Sequence, residues 1–154
     1  MPLPQALESR IQALKETLTS ERACGEVFFS VAALGDNETD VAALDARARE
    51  LGFNILGERW RPLSRAEAEA LLGRMLHLDL AYDSECMEPE RARELAARFC
   101  DLFGPEGRFF SNAEATAHSG SGWGWNPLTG ATFDIGVGAC GAGLVGLVGV
   151  MDED

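Results

Sequence analysis

The residues able to do chemistry gather in one segment, Phe109 to Asp134, where Asn112, Glu114, His118, Ser119, Ser121, Asn126 and Asp134 share a stretch rich in glycine and serine. A histidine with two carboxylates nearby suits proton transfer, so His118, Glu114 and Asp134 are the natural acid and base candidates. Ser119 and Ser121 are potential nucleophiles, but adjacent residues rarely form a triad, and no G-x-S-x-G elbow lies between a strand and a helix. The run Gly120-Ser121-Gly122-Trp123-Gly124 offers backbone N–H groups, yet it lacks the lysine and the following helix of a phosphate loop. Trp123 and Trp125 suit contact with a partner, since exposed tryptophans dominate binding hot spots, or closure over a neighbouring sheet. Asp134, between Phe133 and Ile135, points away from the core if the strand alternates, where it can accept hydrogen bonds from the loop.

These residues single out contact over catalysis, and no catalytic residue is assigned. The same holds for metals and cofactors. Cys24, Cys86, Cys100 and Cys140 are far apart, with no C-x-x-C pair and no histidine at ligand spacing, so they are expected to be reduced and partly buried, with no zinc site. The chain ends on Asp152-Glu153-Asp154, a compact anionic tail that solvent or a basic partner would stabilise.

Charge points the same way. Twenty-five acidic residues against 13 basic ones give a formal net charge of −12, which repels nucleic acid and anionic membranes and attracts basic proteins. No apolar run is long enough for a membrane span, and the N-terminus has no basic region followed by an apolar core, so a cytoplasmic location is expected.

The elements that must position the segment are read from periodicity. Leu7, Ile11, Leu14 and Leu18 form one helical stripe after Pro4, and Glu26 to Leu34 is a strand with apolar residues on both faces. Asn37 is placed to cap a second helix carrying Val41, Leu44, Ala48 and Leu51. Phe53 to Arg61 reads as a second strand whose polar residues suggest one exposed side or an edge position, closed by Pro62. Ser64-Arg65-Ala66-Glu67 is a capping box, and the helix it opens carries Leu71, Leu72, Met75, Leu78 and Tyr82 on one face, with His77 beside it.

Glu88-Pro89 opens a fourth helix with Ala92, Leu95, Ala96, Phe99, Leu102 and Phe103 buried, stopped by Gly104-Pro105. A short strand at Arg108 to Asn112 enters the irregular segment. Thr132 to Cys140 and Leu144 to Met151 then pair as a hairpin whose internal Gly136, Gly138, Gly146 and Gly149 call for close packing by something large, with Trp123 or Trp125 the nearby candidates. This order predicts a single α+β domain over residues 1–154, with a mostly antiparallel sheet of about five strands packed against four helices.

From Trp125 to Asp154 the succession Trp-Asn-Pro-Leu-Thr, Thr-Phe-Asp-Ile-Gly-Val and the terminal Asp-Glu-Asp resembles small acidic bacterial immunity proteins of polymorphic toxin systems, over about the last fifth of the chain. The resemblance implies a stoichiometric inhibitor that offers an acidic surface to a basic toxin. Trp123, Trp125, Glu114, Asp134, Asp152, Glu153 and Asp154 are then the expected contact residues. The alternatives are a small hydrolase-like enzyme with its site in the 112–134 loop, and a structural assembly subunit.

Overall fold

A computed structural model describes residues 3–113 and 125–152. It has four helices, α1 (Gln5–Glu21), α2 (Asp40–Glu50), α3 (Arg65–His77) and α4 (Pro89–Asp101), and five strands, β1 (Glu26–Ala33), β2 (Arg61–Leu63), β3 (Arg108–Ser111), β4 (Phe133–Gly141) and β5 (Leu144–Asp152). The strands form one antiparallel sheet in the order β1-β5-β4-β3-β2. Among the described residues, no helix is long and apolar enough to cross a membrane.

The β4–β5 hairpin is the centre of the sheet, and alternation along it divides the core in two. Ile135, Val137, Val148 and Val150 face α1, α3 and α4, whereas Leu147, Val145 and Cys140 face α2, Trp60 and Leu128. Because both faces are covered, these strands read as continuous apolar runs. The hairpin turns on Ala142 and Gly143, with φ of 51° and 76°. Positive φ at both central residues is the geometry of a tight turn whose twist matches that of the strands.

The glycines in the hairpin are indeed packed closely, and the described side chains over them do not include the expected Trp125. Gly138 lies under Leu44 of α2, Gly136 under Phe28 and Leu128, and Gly146 under Phe103. Trp125 instead stacks on Phe133, with ring centroids 5.5 Å apart, and packs with the α1/α3/α4 side of the core. Trp123 lies outside the described residues. The tryptophan in the α2-side core is Trp60, buried, with Nε1 donating to Asp45 Oδ1 at 2.8 Å.

Asp45 also explains why Phe53 to Arg61 is not the strand that its sequence suggests. Its carboxylate accepts the backbone N–H of Leu56 and Gly57. Donors captured this way are not available to a ladder, and the chain makes one 3₁₀ turn at Gly57–Arg59 before the three residues of β2. The edge position is as expected, and Pro62 sits inside β2, a place an edge strand tolerates. Helix α2 is capped by Thr39, not Asn37: Thr39 Oγ1 accepts from Ala42 N at 3.1 Å.

Helix α3 begins at the capping box, with Ser64 and Glu67 satisfying each other's backbone N–H. It ends at His77, one turn short of the stripe through Tyr82. Leu78 bridges to Glu85, and Asp79 Oδ1 accepts from Ala81 N and Tyr82 N, which turns the chain and leaves Tyr82 65% exposed. His77 is half-buried, its Nδ1 2.8 Å from the Met87 carbonyl. Helix α4 keeps the expected buried face, Ala92, Leu95, Ala96 and Phe99, and packs on α3.

Candidate functional site: an acidic cleft beside a disulfide

The start of β1 and the end of β5 run side by side, with Glu26 opposite Met151. This end of the sheet carries both described carboxylates of the expected contact set, Asp134 and Asp152. Each is fully buried. Neither is presented to a partner, because each has been drawn into a network that organises the chain around it.

Asp152 sits on the α3 side. Its two oxygens take a two-pronged ion pair from Arg22, Nη1 to Oδ1 at 2.7 Å and Nη2 to Oδ2 at 2.8 Å, and Oδ2 also accepts from Leu80 N. Arg22 spends its remaining donors on the carbonyls of Met75, Cys24 and Leu78. A buried pair is tolerable only when the rest of its hydrogen-bonding capacity is met, and here it is. One guanidinium thereby ties the end of α1, the end of α3 and the end of β5. The expected solvated tail is thus corrected at Asp152, which belongs to the sheet. Glu153 and Asp154 lie outside the described residues.

Asp134 faces the opposite side of the sheet and has no cationic partner among the described residues. It takes four hydrogen bonds, from Asn112 Nδ2 and Leu128 N on Oδ1 and from Thr129 N and Oγ1 on Oδ2. Asn112 completes the cage by donating to the Asn126 carbonyl and accepting from Gly136 N. With both oxygens taken, Asp134 fixes the return of the irregular segment onto β4. That is the hydrogen-bonding role the sequence suggested for it, and it offers no open lone pair for proton transfer. Its proposed companions Glu114 and His118, with Ser119 and Ser121, lie outside the described residues.

Between these two networks is a cleft of about 550 Å³ lined by Gly25, Glu26, Asp79, Thr129, Gly130, Ala131 and Met151. Asp134 holds its Thr129 wall, and Asp152 lies directly under Gly25. A side chain at Gly25 would run into the Asp152 carboxylate and the Met151 carbonyl, and its φ of 54° also favours glycine. The charged groups of the lining are Glu26 and Asp79, and neither has an ion pair among the described residues. A second cleft of about 510 Å³, along the free edge of β1 between α1 and α2, differs in charge, with Lys15 and Arg47 offsetting Glu50.

The cysteines are the clearest departure from expectation. Cys24 and Cys86 form a disulfide across 62 residues, with Cα atoms 5.4 Å apart, at the rim of the acidic cleft. A carboxylate oxygen of Asp79 and the two sulfur atoms all lie within 4.8 Å of one another. Spacing in the sequence could not reveal this, because the two positions meet only through the packing of α1 and the α3–α4 link. The remaining pair conform: Cys100 and Cys140 are free and buried, and burial, the largest cause, pushes both thiols up to about 12. They stay protonated at neutral pH and are poor nucleophiles.

Glu26, Asp79 and the Cys24–Cys86 pair are therefore the site residues that the linear pattern missed. The one local signal is Asp79 itself, which the sequence places inside the helical stripe and which lies two residues past the end of α3 at His77; it marks a turn more readily than a site. Set against protein-family models, curated proteins and solved structures, the chain matches none.

Proposed function

We propose that the protein is a stoichiometric binding protein, an immunity-type inhibitor of bacterial origin that neutralises a basic toxin in the cytoplasm without turnover. The observation that carries this reading is the cleft, in which Glu26 and Asp79 face the opening with no cationic partner among the described residues, on a chain of net charge −12. A lysine or arginine side chain of a basic partner supplies the missing charge, and the acidic surround speeds its approach. Trp125, half-buried beside Phe133, adds an aromatic contact. In a reducing compartment the Cys24–Cys86 pair rests as thiols, and the bridged form is its oxidised state.

The test is calorimetric titration against basic proteins encoded beside its gene, at low and high salt. One partner should bind at one to one with affinity that falls as salt rises, and Glu26→Lys should weaken it by about 2 kcal/mol or more. Absence of any partner at micromolar concentration, or affinity indifferent to both salt and Glu26→Lys, overturns the reading.

A further inference from the structure

We propose that Cys24, Cys86 and Asp79, once the disulfide is reduced, bind a thiophilic divalent cation of the zinc type as a two-sulfur, one-oxygen site with its fourth position open to the acidic cleft. The inference does not rest on the binding function above, and the two share Asp79, so a bound cation would leave Glu26 as the free carboxylate of the cleft.

Three features carry it. The first is preorganisation, since both cysteines are held by contacts other than the S–S bond. Ala23 N donates to the Cys86 carbonyl at 2.9 Å, Cys86 N to the His77 carbonyl at 2.7 Å, and Arg22 Nη1 to the Cys24 carbonyl at 2.7 Å. Reduction therefore leaves two thiols side by side on a fixed backbone.

The second is geometry. Zinc bonds of about 2.3 Å to sulfur and about 2.0 Å to oxygen, at tetrahedral angles, separate ligand atoms by roughly 3.5–3.8 Å. The three ligand atoms already lie within 4.8 Å of one another, so once the S–S bond is cut, side-chain rotations let the two sulfurs separate to this spacing with the carboxylate beside them. Asp79 is itself oriented by the N–H groups of Ala81 and Tyr82 on Oδ1, and Oδ2 accepts no hydrogen bond among the described residues. Supporting hydrogen bonds of this kind fix a ligating carboxylate.

The third is charge. Among the described residues Asp79 has no ion pair, and Arg22, whose Nη1 reaches the Cys24 carbonyl, is committed to Asp152, so two thiolates beside this carboxylate call for a counter-ion. A divalent cation supplies it. Cys24 is only partly buried and Asp79 lines the cleft, so reductant and metal have a route in.

The chemistry balances with a dithiol as reductant. It delivers two electrons and two protons to the S–S bond and leaves as its own disulfide, after which the cation displaces the two thiol protons to solvent. No step needs the cleft's partner.

Cobalt(II) is the probe. Protein reduced with a dithiol, then freed of it under anaerobic conditions, should bind one Co²⁺ per chain with thiolate-to-cobalt charge transfer and the intense visible bands of a tetrahedral ion, both bleached by Zn²⁺. The oxidised protein should show neither. Cys24→Ser and Cys86→Ser should abolish the charge-transfer band or reduce it by half, and Asp79→Asn, which removes a charged ligand, should weaken binding by more than the roughly tenfold that loss of a mere supporting group costs. Melting curves guard against misfolding: Zn²⁺ should raise the Tm of the reduced chain and leave that of the oxidised chain unchanged. Failure of the reduced wild type to give a thiolate–cobalt band, or unchanged affinity in Asp79→Asn, overturns the proposal and leaves the pair as a structural staple.

Discussion

Asp134 and Asp152 lie on adjacent strands at the same end of the sheet, in register with Met151 and Phe133 respectively, and both are fully buried. They face opposite sides and are satisfied by opposite means. Asp152 meets a full positive charge and one N–H, whereas among the described residues Asp134 meets only dipoles. An ion pair fails when either member is lost, because the other is stranded in a low-dielectric interior. A cage of neutral donors distributes its loss over several groups, each of which can shift or admit water.

The contrast is broken most directly at Asp152. Asp152→Ala leaves Arg22 buried without its counter-charge and should cost about 3–5 kcal/mol in urea unfolding, with part of the loss recovered when Arg22 is also replaced by Met. A single-mutant loss below 1 kcal/mol would show that Arg22 finds water, and the distinction between the two carboxylates would collapse.

Removal of the disulfide comes next. Cys86→Ser, measured in metal-free oxidising buffer, should cost about 4 kcal/mol by loop-closure entropy for a bridge spanning 62 residues, less whatever the surrounding hydrogen bonds retain. It also sharpens the comparison. The disulfide and Arg22 tie the same segments, so Cys86→Ser and Asp152→Ala should be non-additive, whereas Cys86→Ser and Asp134→Asn should add within about 0.5 kcal/mol.

Asp134→Asn should cost less, about 1–3 kcal/mol. The amide keeps one acceptor oxygen but turns an NH₂ towards donors, either Thr129 or Asn112 and Leu128. A loss as large as that of Asp152→Ala would mean that the neutral cage is as brittle as the ion pair.

The smallest effect is at the surface, between Glu21 at the end of α1 and Arg91 of α4. The Arg91 hydrogen bond, outweighing a small desolvation, lowers the Glu21 pKa below its usual value of 4.5. A depressed folded-state value means stability that is present above the unfolded pKa and lost as pH falls through the folded one. Glu21→Gln should therefore remove well under 1 kcal/mol at pH 7, nothing at pH 2, and less still in high salt. Equal effects at both pH values would rule out the ion pair as the cause.

Legibility followed the range of the interaction. The capping box at Ser64 and Glu67, the buried face of α4 and the hairpin around Ala142 and Gly143 depend on neighbours within a few residues, and all were readable. The sequence extends helix α3 past its end at His77 because Tyr82 continues the apolar period, while the competing Asp79 turn leaves only a short polar signature. Phe53 to Arg61 has strand composition, but Asp45, on another element, takes its backbone donors. At the site the same rule is sharper. Asp134 is legible as a loop anchor because its partners Leu128 and Thr129 are six and five residues away. Asp152 looked like a free tail because Arg22 is 130 residues distant.

The sequence by itself determined the α+β class, the starts of α3 and α4, the hairpin and the strong negative charge, because each follows from local periodicity, capping chemistry or composition. Only the tertiary structure decided which cysteines meet, which carboxylates are consumed in the interior and which remain at the mouth of a cleft. Those outcomes depend on contacts between residues tens to more than a hundred positions apart, where one arginine or one thiol has many possible partners and packing alone selects among them.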